Sequence, residues 1–514
     1  LEIGANSAPE LIVRATAGSG GLLAGAGLET LTEIDSSVKG LLGSVPTSNS
    51  DGSLWASESG KVVTLTGIKG ATISANSSNS VNGYGDVFSG GAIGGSGSVD
   101  EHSIKAVTLA STGDNVTLVA GNLQINAAGF VGKVNSSDSE TNIDATTGGV
   151  AAAAGGEASL TMELDTQAAI GNDNDITVNV IGWQGDNQSL GQLTVTSFNR
   201  FDIDYLANFS TGGALAGAGI SLDVFTTGNY RALATLGSGS SAVSEGRTRF
   251  AANGGGEIDA KVNSEIYGIG TIGVYLTEVT VNPDNQVNIY GDLTSVRDVQ
   301  LFAGLDENLY YDDYIIQAQL DSFAGSAIPI DALDAKAKLE ADNQVIVHAG
   351  AHVLTSGSAF LWADKLGLGD MLAKAKSNSW IAAVAAGADM VKEESSSEGE
   401  GTVTIDGIVE TGYNRARKIA FDLTLDSENE VLTNSNGDFV ITTTQYVGKD
   451  DAGNWQEYTG DDQPFGYSYS TTAVETELFD DRQSAMASLA GALSDYAVTF
   501  YTDQIAQIEM ELLD

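Results

Sequence analysis

The chain has 514 residues with 63 glycines, 5 prolines and no cysteine, and its 23 basic against 68 acidic side chains leave a formal net charge of −45. A 42% hydrophobic content is too apolar for a disordered chain, the missing cysteine excludes disulfides and thiolate-bound metals, and the charge argues against nucleic acid and anionic membranes, whose phosphates would be repelled. No run of about 18 apolar residues offers a membrane-crossing helix, and the acidic excess favours a saline or calcium-containing exterior, where cations relieve self-repulsion.

Taken in chain order, strand-like runs bounded by Gly, Asn, Asp and Ser recur through residues 1–395, for example at 61–66, 176–181 and 192–196. Small-residue patches at 148–156, 212–219 and 267–273 read as strands whose backbones approach closely. A phrase of turn, short strand and glycine occurs at 113–121, 297–304 and 342–350, and Asp284-Asn285-Gln286-Val287 returns as Asp342-Asn343-Gln344-Val345 after 342 − 284 = 58 residues. Self-similarity of this kind marks stacked repeats. The scarcity of proline fits continuous strand ladders. Residues 1–395 are therefore predicted to form a right-handed parallel β-helix, with coils of roughly 20 to 30 residues stacked into a rod about 60 to 100 Å long.

Two segments break the pattern. Met371, Leu372, Ala375, Trp380, Ile381 and Val384 suggest a short helical insertion near 366–390, and the acidic, serine-rich stretch 392–399 reads as a linker. Strand character returns over 396–472 as a β excursion or a continuation of the solenoid, with a hairpin signal at Asn436-Gly437 between Val431-Leu432 and Phe439-Val440-Ile441. From 473 to 514 the reading is an amphipathic helix. Met486, Leu489, Leu493, Tyr496 and Phe500 form its apolar stripe and a candidate interface, and the uncapped pattern is expected to continue in a longer chain.

Catalytic provision is thin. His102, His348 and His352 lack the Glu of a metalloprotease helix, so corner or ladder roles are expected for them. Loop carboxylates at Asp306, Asp312, Asp313, Asp450 and Asp451 supply hard oxygen ligands of the kind Ca²⁺ takes, although no segment matches an EF-hand and ordinary solvated turns are the favoured reading. Tyr310, Tyr311 and Tyr314 beside Asp312 and Asp313 suggest a sugar-stacking surface, or a glycosidase pair for neutral glycans, against the plainer reading of aromatics stacked between coils.

The motifs at 114–121 and 295–304, the Ile-Asp-Ala starts at 143 and 258, and the stretch 322–332 together resemble giant bacterial β-strand-repeat exoproteins, similar to filamentous-haemagglutinin and leukotoxin-like filamentous adhesins. The resemblance covers about residues 100 to 425. It implies a right-handed parallel β-helix, export to the bacterial cell surface, and a role in adhesion or filament building. The expectation is thus a non-enzymatic shaft segment that attaches to cell-surface glycan or protein and partners with itself or with more of its own chain. The alternatives are a β-helix polysaccharide-processing enzyme and a self-assembling filament subunit.

Overall fold

The computed structural model describes residues 1–43, 62–133, 141–178, 191–295, 297–304, 313–355, 357–363, 371–384 and 387–411, together with the backbone of Pro46–Thr47, Ala56–Ser57, Ile419–Leu423, Phe439–Lys449, Trp455–Glu457 and Gly466–Phe479. Where apolar and polar side chains alternate the chain is extended. Leu160, Met162 and Leu164 are buried, while Thr161, Glu163 and Asp165 between them point the other way. These runs are long, 42 residues in Ala71–Thr112 and 44 in Leu193–Leu236, and each pairs in parallel with the run before and the run after it.

Residues in register lie from 51 apart, as for Arg249 and Gln300, to 70 apart, as for Asn6 and Asn76. One turn is therefore about twice the length expected from the sequence, or more. The 58-residue recurrence is itself a single turn, because Asp284 stacks on Asp342 and Asn285 Nδ2 donates to Asn343 Oδ1 at 2.8 Å. The thrice-repeated phrase does not mark coils. Its copies fall at three stations around the turn, in Val116–Ala120, in Val299–Ala303 and at the end of Tyr314–Val347.

Each coil doubles back on itself. Ser322 Oγ donates to Asp331 Oδ2 at 2.7 Å and Ser264 Oγ to the Tyr275 hydroxyl at 2.7 Å, yet nine extended residues span about 30 Å, so the run reverses between these partners. The reversal falls on the small-residue patches. A Cβ on Gly149 would sit 2.4 Å from the Gly91 carbonyl oxygen, and one on Gly213 would sit 2.5 Å from that of Gly149, so each coil demands glycine in the next. At the opposite end a seven-stranded parallel sheet, including Val116–Ala120, Asp175–Val178 and Ser241–Ser244, closes the turn. Its corners use Asn115 and Asp173 in the left-handed region, at φ 58° and 54°. Seven coils rise through six steps, about 29 Å in all, which makes a short broad slab of parallel β-solenoid in place of the long rod.

Two apolar columns fill the slab, one near the reversal around Leu160, Tyr205 and Ile258, the other near the seven-stranded sheet around Ile73, Leu118 and Phe250. A polar seam divides them. Ser36 Oγ donates to Asn79 Oδ1 at 2.9 Å, Asn79 Nδ2 to Ser77 Oγ at 2.7 Å, and Ser197 Oγ to the Thr166 carbonyl at 2.8 Å, so these groups are buried with partners.

Three expectations are corrected toward the C-terminus. The insertion near 366–390 is not helical, because Met371–Ala383 is a strand in register with the run beginning at Tyr314. Met371 and Ala375 are four residues apart, a spacing that puts them on one face of a helix or of a strand alike, and Ala373 between them packs on the same core. The stretch 392–399 is not a linker. It lies in Ala388–Ile405, where Glu393, Ser395 and Ser397 stack on Ala335, Ala337 and Leu339. Glu393 Oε1 accepts from the Ser377 amide at 2.6 Å and Ser397 Oγ donates to the Met371 carbonyl at 3.1 Å, so the polar run ends the apolar column as the cap of a repeat protein does. The solenoid continues past 395, one of the two readings of 396–472, and reaches Thr411.

Beyond it, Phe439–Lys449 pairs antiparallel with Ile419–Leu423 and Gly466–Phe479. Residues 473–479, expected to open the terminal helix, belong to that last strand, where Thr471, Thr472, Val474 and Thr476 favour extension. The Asn436-Gly437 turn and the stripe Met486, Leu489, Leu493, Tyr496 and Phe500 lie outside the described residues.

Candidate functional site

Outward positions repeat once per coil, so register turns single residues into columns. In the layer that leads into the reversal, one column reads Asp86, Asp144, Asn208, Asn263, Asp321 and Asn378. The column two residues on reads Phe88, Thr146, Ser210, Glu265, Phe323 and Trp380. Between them runs a groove of about 540 Å³.

The amide column is bonded along its length. Asn263 Nδ2 donates to Asn208 Oδ1 at 2.9 Å, Asn208 Nδ2 donates to Thr141 Oγ1 at 2.8 Å, and Asn378 Nδ2 donates to Asp321 Oδ1. Lys261 Nζ lies 3.2 Å from Asp321 Oδ2. Burial alone would raise the Asp321 carboxyl, but the Asn378 hydrogen bond and the Lys261 ammonium outweigh it and hold it below the usual range. Asp144 moves the other way, raised by burial and by the carboxylate of Asp86, with the Thr146 hydroxyl opposing.

Phe323 and Trp380 rise on the wall of this groove, and Tyr267 flanks Phe323 outside its lining. Tyr267 and Phe323 have ring centroids 5.5 Å apart at 45°, the Tyr267 hydroxyl donates to Glu265 Oε2 at 3.2 Å, and Trp380 stacks one coil above Phe323 with 71% of its surface exposed. Flat apolar rings beside oriented amides and carboxylates suit a ligand with apolar C–H faces and equatorial hydroxyls. Asp144 and Asp321 are three coils apart, about 14 Å, beyond the roughly 5 to 9.5 Å that separates the paired carboxyls of glycosidases, whereas Asp86 and Asp144 are register partners on adjacent coils, about 4.8 Å apart at Cα.

A second cluster is sealed inside the core. Thr30 Oγ1 and the Tyr205 hydroxyl donate to the Asp100 carboxylate, and Thr32 Oγ1 shares a hydrogen bond with His102 Nδ1. His102 Nε2 lies 2.9 Å from Asp100 Oδ2 and 3.0 Å from Lys133 Nζ, whose ammonium also sits 4.2 Å from the centre of the Tyr205 ring. Asp100, His102 and Lys133 all have fully buried side chains. Burial drags Lys133 down to about 8 against the pull of Asp100. It also lowers His102 more than Asp100 raises it. Asp100 is held at about 2, burial notwithstanding, by His102, Lys133 and Thr30. Gly83 exists for this cluster, since a Cβ there would stand 2.4 Å from Asp100 Oδ1.

Most residues singled out from the sequence lie elsewhere. Asp306, Asp312, Asp450, Asp451, Tyr310 and Tyr311 are outside the described residues. Asp313 is exposed, its carbonyl accepting from the Gly256 amide at 2.8 Å. Tyr314 is no sugar platform, because it is buried with its ring 6.0 Å from that of Phe201. Among the described residues no three carboxylate or imidazole groups converge as a metal would require. The acidic corner 172–175 spends its side chains on neighbouring coils, with Asn174 Oδ1 accepting from the Val116 amide at 2.6 Å. His348 stacks on Tyr290 at 3.8 Å, a ladder role. Comparison with protein-family models, with curated proteins and with solved structures finds no match to this chain.

Proposed function

We propose that this chain is a non-enzymatic, carbohydrate-holding solenoid segment of an extracellular bacterial surface protein, an adhesin or filament component. The observation that carries the reading is the groove in which Phe323 and Trp380 rise beside the Asn208, Asn263 and Asp321 column, with Tyr267 flanking Phe323. Its charged groups are mostly acidic, so a neutral or amino-bearing glycan fits and a polyanionic one does not. A broad slab of stacked coils presents such a groove as a rigid strip along which successive sugar units can lie. The resemblance to filamentous adhesins points to the same setting.

Titrating the chain with neutral oligosaccharides by calorimetry tests this. Binding is expected, with Trp380→Ala weakening it about tenfold, equivalent to about 1.4 kcal/mol, and with unchanged oligosaccharide recovered afterward. Release of new reducing ends that stops in Asp144→Asn would replace this reading with the polysaccharide-processing one. Equal affinity in Trp380→Ala would remove the groove from the account.

A further inference from the structure

The layer that leaves the reversal carries a different outward face. Register aligns Leu23, Ile93, Ala151, Leu215, Gly270 and Ile328 in one column. Gly25, Gly95, Ala153, Gly217, Ile272, Ile330 and Ala388 form the next, and Gly27, Gly97, Gly155, Gly219, Val274, Ala332 and Met390 the third. In a chain of net charge −45, none of these positions is charged. The large members stand in water, Leu215 at 66% exposure and Ile272 at 56%.

Most of the glycines here are not explained from inside, Gly155 excepted, where a Cβ would stand 3.3 Å from the Gly219 carbonyl oxygen. A Cβ on Gly25, Gly27 or Gly95 would meet nothing within 4 Å, unlike the Gly149 and Gly213 positions at the reversal. Glycine inside a strand costs about 0.5 to 1 kcal/mol relative to alanine, so its repetition at open outward sites reflects something that approaches from outside. The face is also graded. Its first four coils form a floor of Gly and Ala in the second and third columns, and its fifth and sixth carry the ridge Ile272, Val274 and Ile330.

We infer that this face is the interface of a symmetric homodimer, whose two-fold axis runs along the strands between the third and fourth coils. That operation sets coil one against coil six, two against five and three against four, keeps each column on itself, and leaves the seventh coil, with Ala388 and Met390, beyond the overlap. Ile330 then enters over Gly25, Ile272 over Gly95 and Val274 over Gly97. Ile93 meets Gly270, Leu215 meets Ala151, and Leu23 against Ile328 is the single pair with two large members. A two-fold axis along the stack instead would press Ile272 on Ile272 and Ile330 on Ile330. With the apex residues Leu22, Val150 and Ile269 the patch measures about 20 by 24 Å, roughly 500 Å² per copy, at the low end of specific interfaces. At its rim, Glu29 meets Asp334, whose charge Lys392 already offsets from 3.5 Å.

Sedimentation equilibrium of the whole chain tests the dimer. A mass twice 52.9 kDa is expected at micromolar concentration. Gly95→Arg and Ile272→Glu should each raise the dissociation constant at least a hundredfold with circular dichroism unchanged, since both side chains project into solvent. The double variant should recover the dimer, because the operator places each new charge against its opposite. A monomer at 100 µM, a dimer indifferent to Ile272→Glu, or a double variant no better than the singles would overturn the inference. A monomer that floats with neutral phosphatidylcholine vesicles would assign the face to lipid instead.

Discussion

Lys133 is the residue on which interior electrostatics turn. Its folded pKa of about 8 lies below the unfolded 10.5, so the unfolded chain holds the extra proton between those values and stability rises with pH across that window, by of order 3 kcal/mol. His102, also lowered, favours the neutral form, and its contribution is lost as pH falls below 6.5. Asp100, depressed to about 2, stabilises above 3.8 and loses that contribution between pH 4 and 2. Urea denaturation across pH should therefore show an alkaline rise in the parent that disappears in Lys133→Met. Parallel profiles for the two proteins from pH 8 to 10.5 would place the ammonium elsewhere. None of this was legible in the sequence, because Thr30, Asp100, His102, Lys133 and Tyr205 come from four coils and only register brings them together.

At the scale of elements, two glycine columns a few residues apart obey different rules. Gly149→Ala forces a Cβ onto the Gly91 carbonyl and is expected to cost about 1 to 3 kcal/mol, as overpacking does, whereas Gly95→Ala meets open space and is expected to be neutral or to stabilise by up to about 1 kcal/mol. Thermal melts at concentrations that keep the chain monomeric check the pair. Equal losses at both sites would mean that the outward glycines answer to internal packing after all. The strands themselves were readable, since alternation such as Leu160-Thr161-Met162-Glu163-Leu164 has only one folded outcome at this length. The helix expected near 366–390 was misread because its four-residue spacings serve either geometry. The polar run 392–399 was misread because a capping strand has the composition of a loop.

For the whole molecule, the decisive quantity is the length of the turn. The sequence displayed it openly as the 58-residue return of Asp-Asn-Gln-Val, but a coil that doubles back through two layers contains several strand-turn phrases, and counting phrases gave turns of about half the true length or less. The groove escaped for the same reason. Asp144, Asn208, Asn263 and Asp321 are unremarkable polar residues until register stacks them. Everything proposed here, the carbohydrate groove, the dimer face and the buried cluster, rests on that register.

The most direct test uses the absence of native cysteine. Thr146 and Ser210 are register partners on adjacent coils, about 4.8 Å apart at Cα, within the range a disulfide bridges. Thr146→Cys with Ser210→Cys should oxidise to an intramolecular disulfide under air, seen as a loss of two hydrogens by mass spectrometry with full retention of structure. Thr146→Cys with Asp204→Cys, six residues out of register, should remain as free thiols. Free thiols in the first variant, or equal bridging in both, would contradict the register and with it the whole account.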